Sequence, residues 1–257
     1  MKIAVIQSDI IWGDIAGNIA AARSMMDREP DADLYVLPEM FTTGFNGNCE
    51  TPPSEGLAFM QEEAKRRNCA VAGSIALGLE DGMRVNRFYF VTPDAVEYYD
   101  KRHLFNYGGE GRQYRAGNRR AIAVWKGARF LLTVCYDLRF PVWSRNRKDY
   151  DVMLCVASWP VQRRYAWDTL LRARAIENQF FVAAANGISP RKGESLHLGG
   201  GSAIYDPWGS LLAQGSTDNL KGEILQANLQ PGVIAQIRSQ INIFQDRRPD
   251  VYTLNRK

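Results

Sequence analysis

The chain contains many short, almost wholly apolar segments, and each one ends at a turn or at a group of polar residues. Examples are KIAVIQS at 2–8, DVMLCVASWP at 151–160 and FFVAAANG at 180–187. Apolar runs of this length are typical of strands that are buried on both faces. Between them lie longer stretches such as 14–28, in which apolar residues recur at the 3.6-residue period of an amphipathic helix. This alternation predicts an α/β fold with mixed sheets.

The order of these segments predicts one domain spanning 1–257, because no linker, repeat or low-complexity stretch divides the chain. The turn-forming pairs at 81–82 and 93–94 separate neighbouring strands. The predicted strands are 2–8, 31–41, 69–77, 84–92, 95–101, 121–125, 128–135, 151–160, 180–187, a hairpin at 202–215, and 222–229. The predicted helices are 14–28, 55–67 and 161–178, with a short one from about 231.

The composition is that of a globular protein and argues against several classes of partner. The net charge is +4, and the Lys and Arg residues are scattered, so no patch for nucleic acid is expected. No apolar run approaches the ~18 residues of a membrane helix. The four cysteines include no C-x-x-C pair, and MKIAVIQSDI at 1–10 is predicted to be a strand and not a secretion signal. We therefore expect a reduced, soluble, cytoplasmic protein that binds neither nucleic acid nor membrane.

Functional-looking residues stand where several of the apolar strands end. Glu39 comes after 33–37, which Pro38 stops, Lys101 after 95–100 and Cys135 after 128–134, and the strand 151–157 ends at Ser158 and Trp159. The carboxylate of Glu39, the ammonium of Lys101 and the thiol of Cys135 are the chemically useful groups among them. In α/β sheets, ligand crevices lie beyond the carboxyl ends of the strands. The three groups are therefore expected to meet in one pocket.

Such a trio would be suited to breaking an acyl–nitrogen bond. The thiolate of Cys135 is the useful nucleophile, and Glu39 is placed to accept its proton. Lys101 favours the thiolate by its charge and later stabilises an oxyanion, for which the backbone N–H of Tyr136 is a second donor. The predicted reaction is hydrolysis through a thioester.

Other interpretations of these residues remain open at this point. Taken separately, a cysteine at a strand end is more often inert core, and the glutamate and the lysine are more often surface groups. A Cys–His pair with His103 or His197 is also possible. Two histidines and dispersed cysteines serve a zinc site poorly, and no phosphate-binding glycine motif is present.

Four segments in order resemble the successive signatures of the carbon–nitrogen hydrolase, or nitrilase, superfamily. They are LPEMFTTGF at 37–45, YDKRHLF at 99–105, LLTVCYDLRFP at 131–141 and RARAIENQFFVAAANG at 172–187. The segments GGGSAIYDPWGSLLAQ at 199–214 and RSQINIFQDRRPDVY at 238–252 resemble the C-terminal hairpin and tail of that family. The resemblance covers nearly the whole chain, and the ordered set is far more specific than any one motif.

The resemblance implies a four-layer αββα sandwich of the nitrilase type. It also implies homodimers that pair through helices, with the tail, about 238–257, taking part in dimer packing. In the implied Glu–Lys–Cys triad, Glu39 is the general base, Lys101 stabilises the oxyanion and Cys135 is the nucleophile. Glu110 matches a second glutamate that orients the lysine. No metal and no organic cofactor are implied.

The residues around the nucleophile resemble the amidase branches of the family. Cys-Tyr-Asp stands at 135–137, where nitrile hydrolysers tend to have Cys-Trp-Glu. The chain is most similar to ω-amidases, which convert 2-oxoglutaramate or 2-oxosuccinamate to the 2-oxo dicarboxylate and ammonia. The alternatives are a related hydrolase acting on deaminated glutathione or an N-carbamoyl amine, and an inactive scaffold. The retained triad argues against the scaffold.

Five further residues are candidates to line the substrate pocket. They are Phe45, Tyr107, Arg139, Trp159 and Arg163. For Phe45 and Trp159, core packing is about as good an explanation as substrate contact. For Arg139, a structural role beside Asp137, supporting the turn after the nucleophile, is favoured over substrate binding.

Overall fold

Strands of the chain form two six-stranded sheets in the computed structural model, which describes residues 1–45, 47–188, 198–217 and 222–248. The strands are β1 (Lys2–Gln7), β2 (Leu34–Val36), β3 (Ala70–Gly78), β4 (Arg84–Val91), β5 (Val96–Asp100), β6 (Ile122–Trp125), β7 (Ala128–Val134), β8 (Val152–Ala157), β9 (Phe181–Asn186), β10 (Ala203–Tyr205), β11 (Leu211–Gln214) and β12 (Glu223–Asn228).

Each sheet has a parallel centre with antiparallel additions. The first sheet has the order β12-β1-β2-β3-β4-β5, and the second has the order β11-β10-β9-β8-β7-β6. Strands β1, β2 and β3 run parallel in the first sheet, as β7, β8 and β9 do in the second. The remaining strands pair antiparallel, so the predicted mixed sheets are confirmed.

Five α-helices accompany the sheets in the described residues. They are α1 (Ile15–Arg28), α2 (Glu55–Arg67), α3 (Pro141–Ser144), α4 (Arg164–Asn178) and α5 (Gly232–Gln240). Side-chain caps begin the first two: Asp14 accepts from Gly17 N–H at 2.9 Å, and Ser54 accepts from Leu57 N–H at 3.0 Å. None of the helices in these ranges is both long and apolar enough to cross a membrane.

Three apolar clusters fill the spaces between the layers. The largest lies between the two sheets and contains aromatic residues of both, such as Phe90 and Phe130, whose ring centres are 5.2 Å apart. A second core packs α1 and α2 on the outer face of the first sheet, and a third packs α4 on the outer face of the second. The order of layers is helix, sheet, sheet, helix, which confirms the expected four-layer αββα sandwich.

Some element boundaries differ from those predicted. Within the predicted segment 31–41, β2 covers only Leu34–Val36 and ends before Pro38, the residue expected to stop it, because Pro38 has no N–H to donate and Met40 has a φ of 49°, which turns the chain away from the sheet. The predicted helix 161–178 begins as a 3₁₀ turn at Val161–Arg163 and becomes α-helical at Arg164.

Two expectations concern the whole chain. The single domain for 1–257 stays a prediction. Part of the proposed dimer-packing tail, 249–257, lies outside the described residues, and so does His197.

Candidate active site

The ammonium of Lys101 lies between two carboxylates. Lys101 follows β5, Glu39 comes three residues after β2, and Glu110 opens a 3₁₀ turn at Glu110–Arg112. The Nζ of Lys101 donates to Glu39 Oε1 at 2.9 Å and to Glu110 Oε1 and Oε2 at 3.0 and 2.9 Å. All three side chains are buried. We refer to Glu39, Lys101 and Glu110 as the charged cluster.

Neutral N–H groups complete the charged cluster, which has more carboxylates than cations. The backbone N–H of Ser158 donates to Glu39 Oε2 at 2.7 Å, and that of Phe105 donates to Glu110 Oε2 at 2.6 Å. The side-chain amide of Asn86 donates to Glu39 at 2.7 Å and to Glu110 at 3.5 Å. Because Ser158 follows β8, both sheets take part in holding Glu39.

The nucleophile candidate, Cys135, stands on a sharp turn. It directly follows β7 and opens a 3₁₀ turn at Cys135–Arg139. Its φ of 46° lies in the left-handed region, which a non-glycine residue rarely adopts. Such strain is retained where the surroundings enforce it, and it is common at functional sites. The turn directs the thiol out of the strand and into the pocket.

Asp137 enforces this turn. Its buried carboxylate accepts from Val134 N–H at 2.9 Å and from the Tyr99 hydroxyl at 2.8 Å. It also accepts from the backbone N–H of His103 at 3.0 Å and lies 2.7 Å from His103 Nδ1. The carboxylate therefore joins the segment that carries Lys101 to the segment that carries Cys135.

Burial and charge shift two pKa values in the site. Burial by itself would lower the pKa of Lys101, but Glu110 and Glu39 outweigh it, so this pKa lies well above its usual value. Burial, followed by the charge of Glu39, raises the pKa of the Cys135 thiol well above its usual value, although Lys101 acts in the opposite direction. The lysine is therefore charged and the resting cysteine is a neutral thiol.

The charged cluster and Cys135 open into a cavity of about 680 Å³. Every residue that the sequence predicted for catalysis, for the oxyanion or for the pocket wall lines this cavity. The residues in its wall are Glu39, Phe45, Lys101, Tyr107, Glu110, Cys135, Tyr136, Arg139, Trp159 and Arg163, together with Trp12, Gly47, Phe105, Gly108, Gly109, Gln113, Tyr114, Ser158, Pro160 and Gln162.

Two arginines in the cavity wall are stacked on aromatic rings. The guanidinium of Arg139 lies 5.1 Å from the ring centre of Trp159. That of Arg163 lies 4.9 Å from the ring of Phe105 and 5.4 Å from the ring of Tyr107. Stacking uses the flat face of a guanidinium and leaves its in-plane N–H groups available. Neither arginine has a carboxylate partner among the described residues.

The structural role favoured for Arg139 stays a prediction, since no ion pair joins Arg139 to Asp137 within the described residues. Asp137 takes its hydrogen bonds from Val134, Tyr99 and His103 and supports the turn without Arg139. Arg139 is exposed and faces the cavity, because its position at the end of the 3₁₀ turn points it outward.

The alternative of a Cys–His pair finds no support at His103. The imidazole stacks on Phe140 with ring centres 3.8 Å apart and bonds Asp137 behind the nucleophile turn. His103 is not among the residues of the cavity wall. Within the described ranges, no group of three or more His, Cys, Asp or Glu side chains is arranged to hold a metal ion.

Sequence reasoning missed Asn86, Phe105 and Trp12 as parts of the site. Asn86 stands within β4, in the segment RVNRFYFV, and is wholly buried. Its burial is known only from the structure, and buried polar groups need partners. Ser158 and Phe105 act through backbone N–H groups, which leave no trace in the sequence.

Comparison with known proteins agrees with this geometry. The family model for carbon–nitrogen hydrolases matches residues 2–239. The chain is 40% identical over 250 residues to omega-amidase YafV of Escherichia coli K12, covering 96% of each chain. It is 34% identical over 263 residues to 2-oxoglutaramate amidase of Bacillus subtilis, covering 97% of this chain and 98% of the relative.

A solved structure gives the same result for the fold. The crystal structure of XC1258 from Xanthomonas campestris, a carbon–nitrogen hydrolase superfamily protein, is 38% identical to the chain. The two superpose with a TM-score of 0.89 over 96% of this chain and 97% of that one. With the family match, the curated relatives and the shared fold in agreement, the chain belongs to the carbon–nitrogen hydrolase family.

Proposed function

We propose that the protein is an ω-amidase that hydrolyses the side-chain amide of 2-oxoglutaramate, and of 2-oxosuccinamate, to the 2-oxo dicarboxylate and ammonia. The observation that carries the proposal is a cavity whose wall holds Cys135, the charged cluster and two arginines that have no carboxylate partner in the described part of the chain. The relatives named omega-amidase and 2-oxoglutaramate amidase support the same substrate.

The first chemical step forms a thioester on Cys135. The thiol is neutral at rest because burial raises its pKa, so its proton passes to Glu39 as the sulfur attacks the amide carbon. The negative charge that develops on the amide oxygen is stabilised by Lys101 and the backbone N–H of Tyr136. Donors that are already in place need no reorganisation during the reaction, which makes this stabilisation effective.

The second half of the reaction releases both products. Glu39 returns its proton to the leaving nitrogen, which departs as ammonia, and Cys135 keeps the acyl group as a thioester. Glu39 then takes a proton from a water molecule, whose oxygen attacks the thioester carbon. The carbon–sulfur bond breaks, the acid leaves, and Cys135 recovers its proton. Throughout, Glu110 holds the Lys101 ammonium at 2.9 Å.

Arg139 and Arg163 bind the carboxylate of the substrate. Their flat faces lie on aromatic rings, and their in-plane N–H groups match the two oxygens of a carboxylate. Tyr107 and Trp159 form the stacking partners, and Phe45, which packs on Tyr114 with ring centres 6.3 Å apart, closes the other side of the cavity.

The test is ammonia release from 2-oxoglutaramate, measured beside glutamine, asparagine, deaminated glutathione, an N-carbamoyl amine and a simple nitrile. Turnover of the 2-oxo acid amides, abolished in Cys135→Ala, is the expected result. If deaminated glutathione or the N-carbamoyl amine is turned over faster, the proposed substrate is wrong and the proposed thioester mechanism stands. Undiminished turnover in Cys135→Ala would overturn the mechanism.

We propose further that the protein is a homodimer that pairs through α4 and the β10–β11 hairpin. Tyr165 and Ile176 on α4 are 86% and 49% exposed, and Leu211 and Leu212 on the hairpin are 40% and 43% exposed. The hairpin lies against α4, since a Cβ at Gly209 would come within 2.6 Å of Ile176. Covering such apolar groups is favourable. Light scattering is expected to give twice the chain mass, and Ile176→Glu is expected to reduce it to one chain.

We also infer that the protein works in the cytoplasm. Its cysteines, Cys49, Cys69, Cys135 and Cys155, are all free thiols, and a free nucleophilic thiol is kept reduced in that compartment. Cell fractionation with antibody detection tests the inference, and recovery in a secreted or membrane fraction would contradict it.

A further inference from the structure

Asn86 contacts all three members of the charged cluster. Its Nδ2 donates to Glu39 Oε1 at 2.7 Å and, more weakly, to Glu110 Oε1 at 3.5 Å. Its backbone carbonyl accepts from the backbone N–H of Lys101 at 2.9 Å. The residue is fully buried on β4 and does not line the cavity. It therefore reaches the chemistry only through the groups it holds.

The orientation of the Asn86 amide is the informative detail. With Nδ2 on the carboxylates, the amide oxygen Oδ1 is buried and has no hydrogen-bond partner among the residues that the structure describes. A buried acceptor without a partner destabilises the folded state. Turning the amide over would place its oxygen against Glu39, where two acceptors repel each other. The fold therefore tolerates an unpaired oxygen in order to keep a donor on the carboxylates.

The charge balance explains why a donor is needed there. The charged cluster holds two carboxylates and one ammonium in a buried site. An uncompensated buried carboxylate tends to take up a proton, and a protonated Glu39 cannot act as a base. The Asn86 amide stabilises negative charge on Glu39 without adding a second cation, which would hold the carboxylate too tightly to leave it basic.

We propose that Asn86 is a positioning residue that holds the Glu39 carboxylate in place by its donated hydrogen bond, while it fixes Lys101 by its backbone. The proposal rests on the base role given to Glu39 in the proposed function. It predicts that Asn86 sets the pH range in which the enzyme works, in addition to the rate.

Asn86→Asp is the sharpest variant, because it keeps the shape and replaces the donor with an acceptor. We expect kcat to fall about 100-fold, the loss typical of a misplaced catalytic group, with KM within about twofold. The acid limb of the pH–rate profile is expected to move to higher pH, because three carboxylates would then share one ammonium. Asn86→Ala, which removes both donor and acceptor, is expected to shift the limb in the same direction by less.

A second readout does not depend on the substrate. The rate at which iodoacetamide alkylates Cys135, followed by mass spectrometry against pH, reports how readily the thiol loses its proton. We expect slower alkylation in Asn86→Asp at every pH where the protein is folded. The matched control is Asn146→Asp: Asn146 is equally buried, and its side chain bonds backbone groups of Lys148, Asp149 and Tyr150, away from the cavity.

The outcomes separate this proposal from the proposed function. A shifted limb and slower alkylation in the Asn86 variants, with neither in Asn146→Asp, would support it whichever amide proves to be the substrate. Unchanged pH dependence and alkylation in folded Asn86→Asp would overturn it, even where 2-oxoglutaramate is turned over. If Asn86→Asp does not fold, Asn86→Ala decides: a loss of thermal stability with an unchanged pH profile would mean a purely structural role.

Discussion

Two buried carboxylates, Glu39 and Glu63, are held in opposite ways. Glu63, on α2, is contacted by Arg23 at 3.0 Å and by Arg66 and Arg67 at 2.7 Å each. The same arginines also pair with Asp27 and Glu62, so charges balance there, and the ion pairs join α1 to α2 in the outer helix layer. At Glu39 positive charge is short, since one ammonium serves two carboxylates and neutral N–H groups supply the rest.

Each carboxylate also has a cysteine beside it. The Sγ of Cys69 lies 3.9 Å from the backbone oxygen of Glu63, and burial raises the pKa of Cys69 to about 12, with Arg67 opposing and Glu63 assisting the shift. Cys135 has the same kinds of neighbours, but it faces a cavity. A buried acid, a cation and a thiol are therefore not enough to make a site. Access and a shortage of positive charge distinguish the reactive group from the structural one.

The largest expected effect is that of Glu39→Gln, which removes the base and keeps the shape. Loss of a general acid–base group lowers kcat by about 10²–10⁴-fold, and we expect the upper part of that range because the proposed mechanism uses Glu39 in both halves of the reaction. Steady-state ammonia release measures it. The thermal midpoint is expected to change little, because Lys101 keeps Glu110 as a partner. A variant with half the wild-type kcat would contradict the role.

Glu63→Gln is the matched change in the outer cluster and is expected to give the opposite result. The substitution leaves the buried guanidinium of Arg67 without the Glu63 carboxylate. The free energy of unfolding is expected to fall by about 3 kcal/mol, the low end of the loss for a broken buried ion pair. Arg23 and Arg66 limit the loss because they turn partly to water. Urea unfolding measures the change, and activity per folded molecule is expected to equal that of the wild type.

Arg163→Met tests the cationic wall of the cavity. It keeps much of the side chain's length and removes the N–H groups, so KM for 2-oxoglutaramate is expected to rise about 30-fold, in line with the loss of a charge-assisted hydrogen bond. Arg172→Met is the control, since Arg172 is also stacked on an aromatic ring, that of Tyr205, but does not line the cavity. Equal effects in the two variants would remove Arg163 from the binding site.

The smallest expected effect concerns the thiol of the outer cluster at high pH. The unfolded Cys69 thiol ionises near pH 9, whereas the folded one ionises near pH 12. Between these values the unfolded state binds fewer protons, so stability falls as pH rises, by about 1.4 kcal/mol at pH 10. Between pH 8 and pH 10 the wild type is therefore expected to lose about 1.4 kcal/mol more stability than Cys69→Val, which has no thiol at this position. Parallel losses in urea unfolding would contradict the assignment.

The ends of the strands were the most predictable part of the molecule. Glu39, Lys101 and Cys135 each stand just after a strand and line the same cavity, a meeting that the strand-end pattern and the family resemblance predicted. The order of layers was likewise predictable, because strand and helix patterns alternate and each has an apolar face to bury.

Contacts that depend on three-dimensional packing were not predictable. The backbone N–H of Ser158 donates a hydrogen bond to Glu39, although the two residues are 119 positions apart in the sequence. The direction in which Arg139 points depends on the register of a single 3₁₀ turn.

The division of the site between the two sheets has a consequence for how the chain matures. Glu39, Asn86 and Lys101 come from the first sheet, whereas Cys135 and Ser158 come from the second and are synthesised later. Until the sheets dock, Cys135 has no base beside it and is an ordinary solvated thiol. A nascent or partly unfolded chain is therefore catalytically silent, and hydrolytic activity reports the completed assembly of both halves.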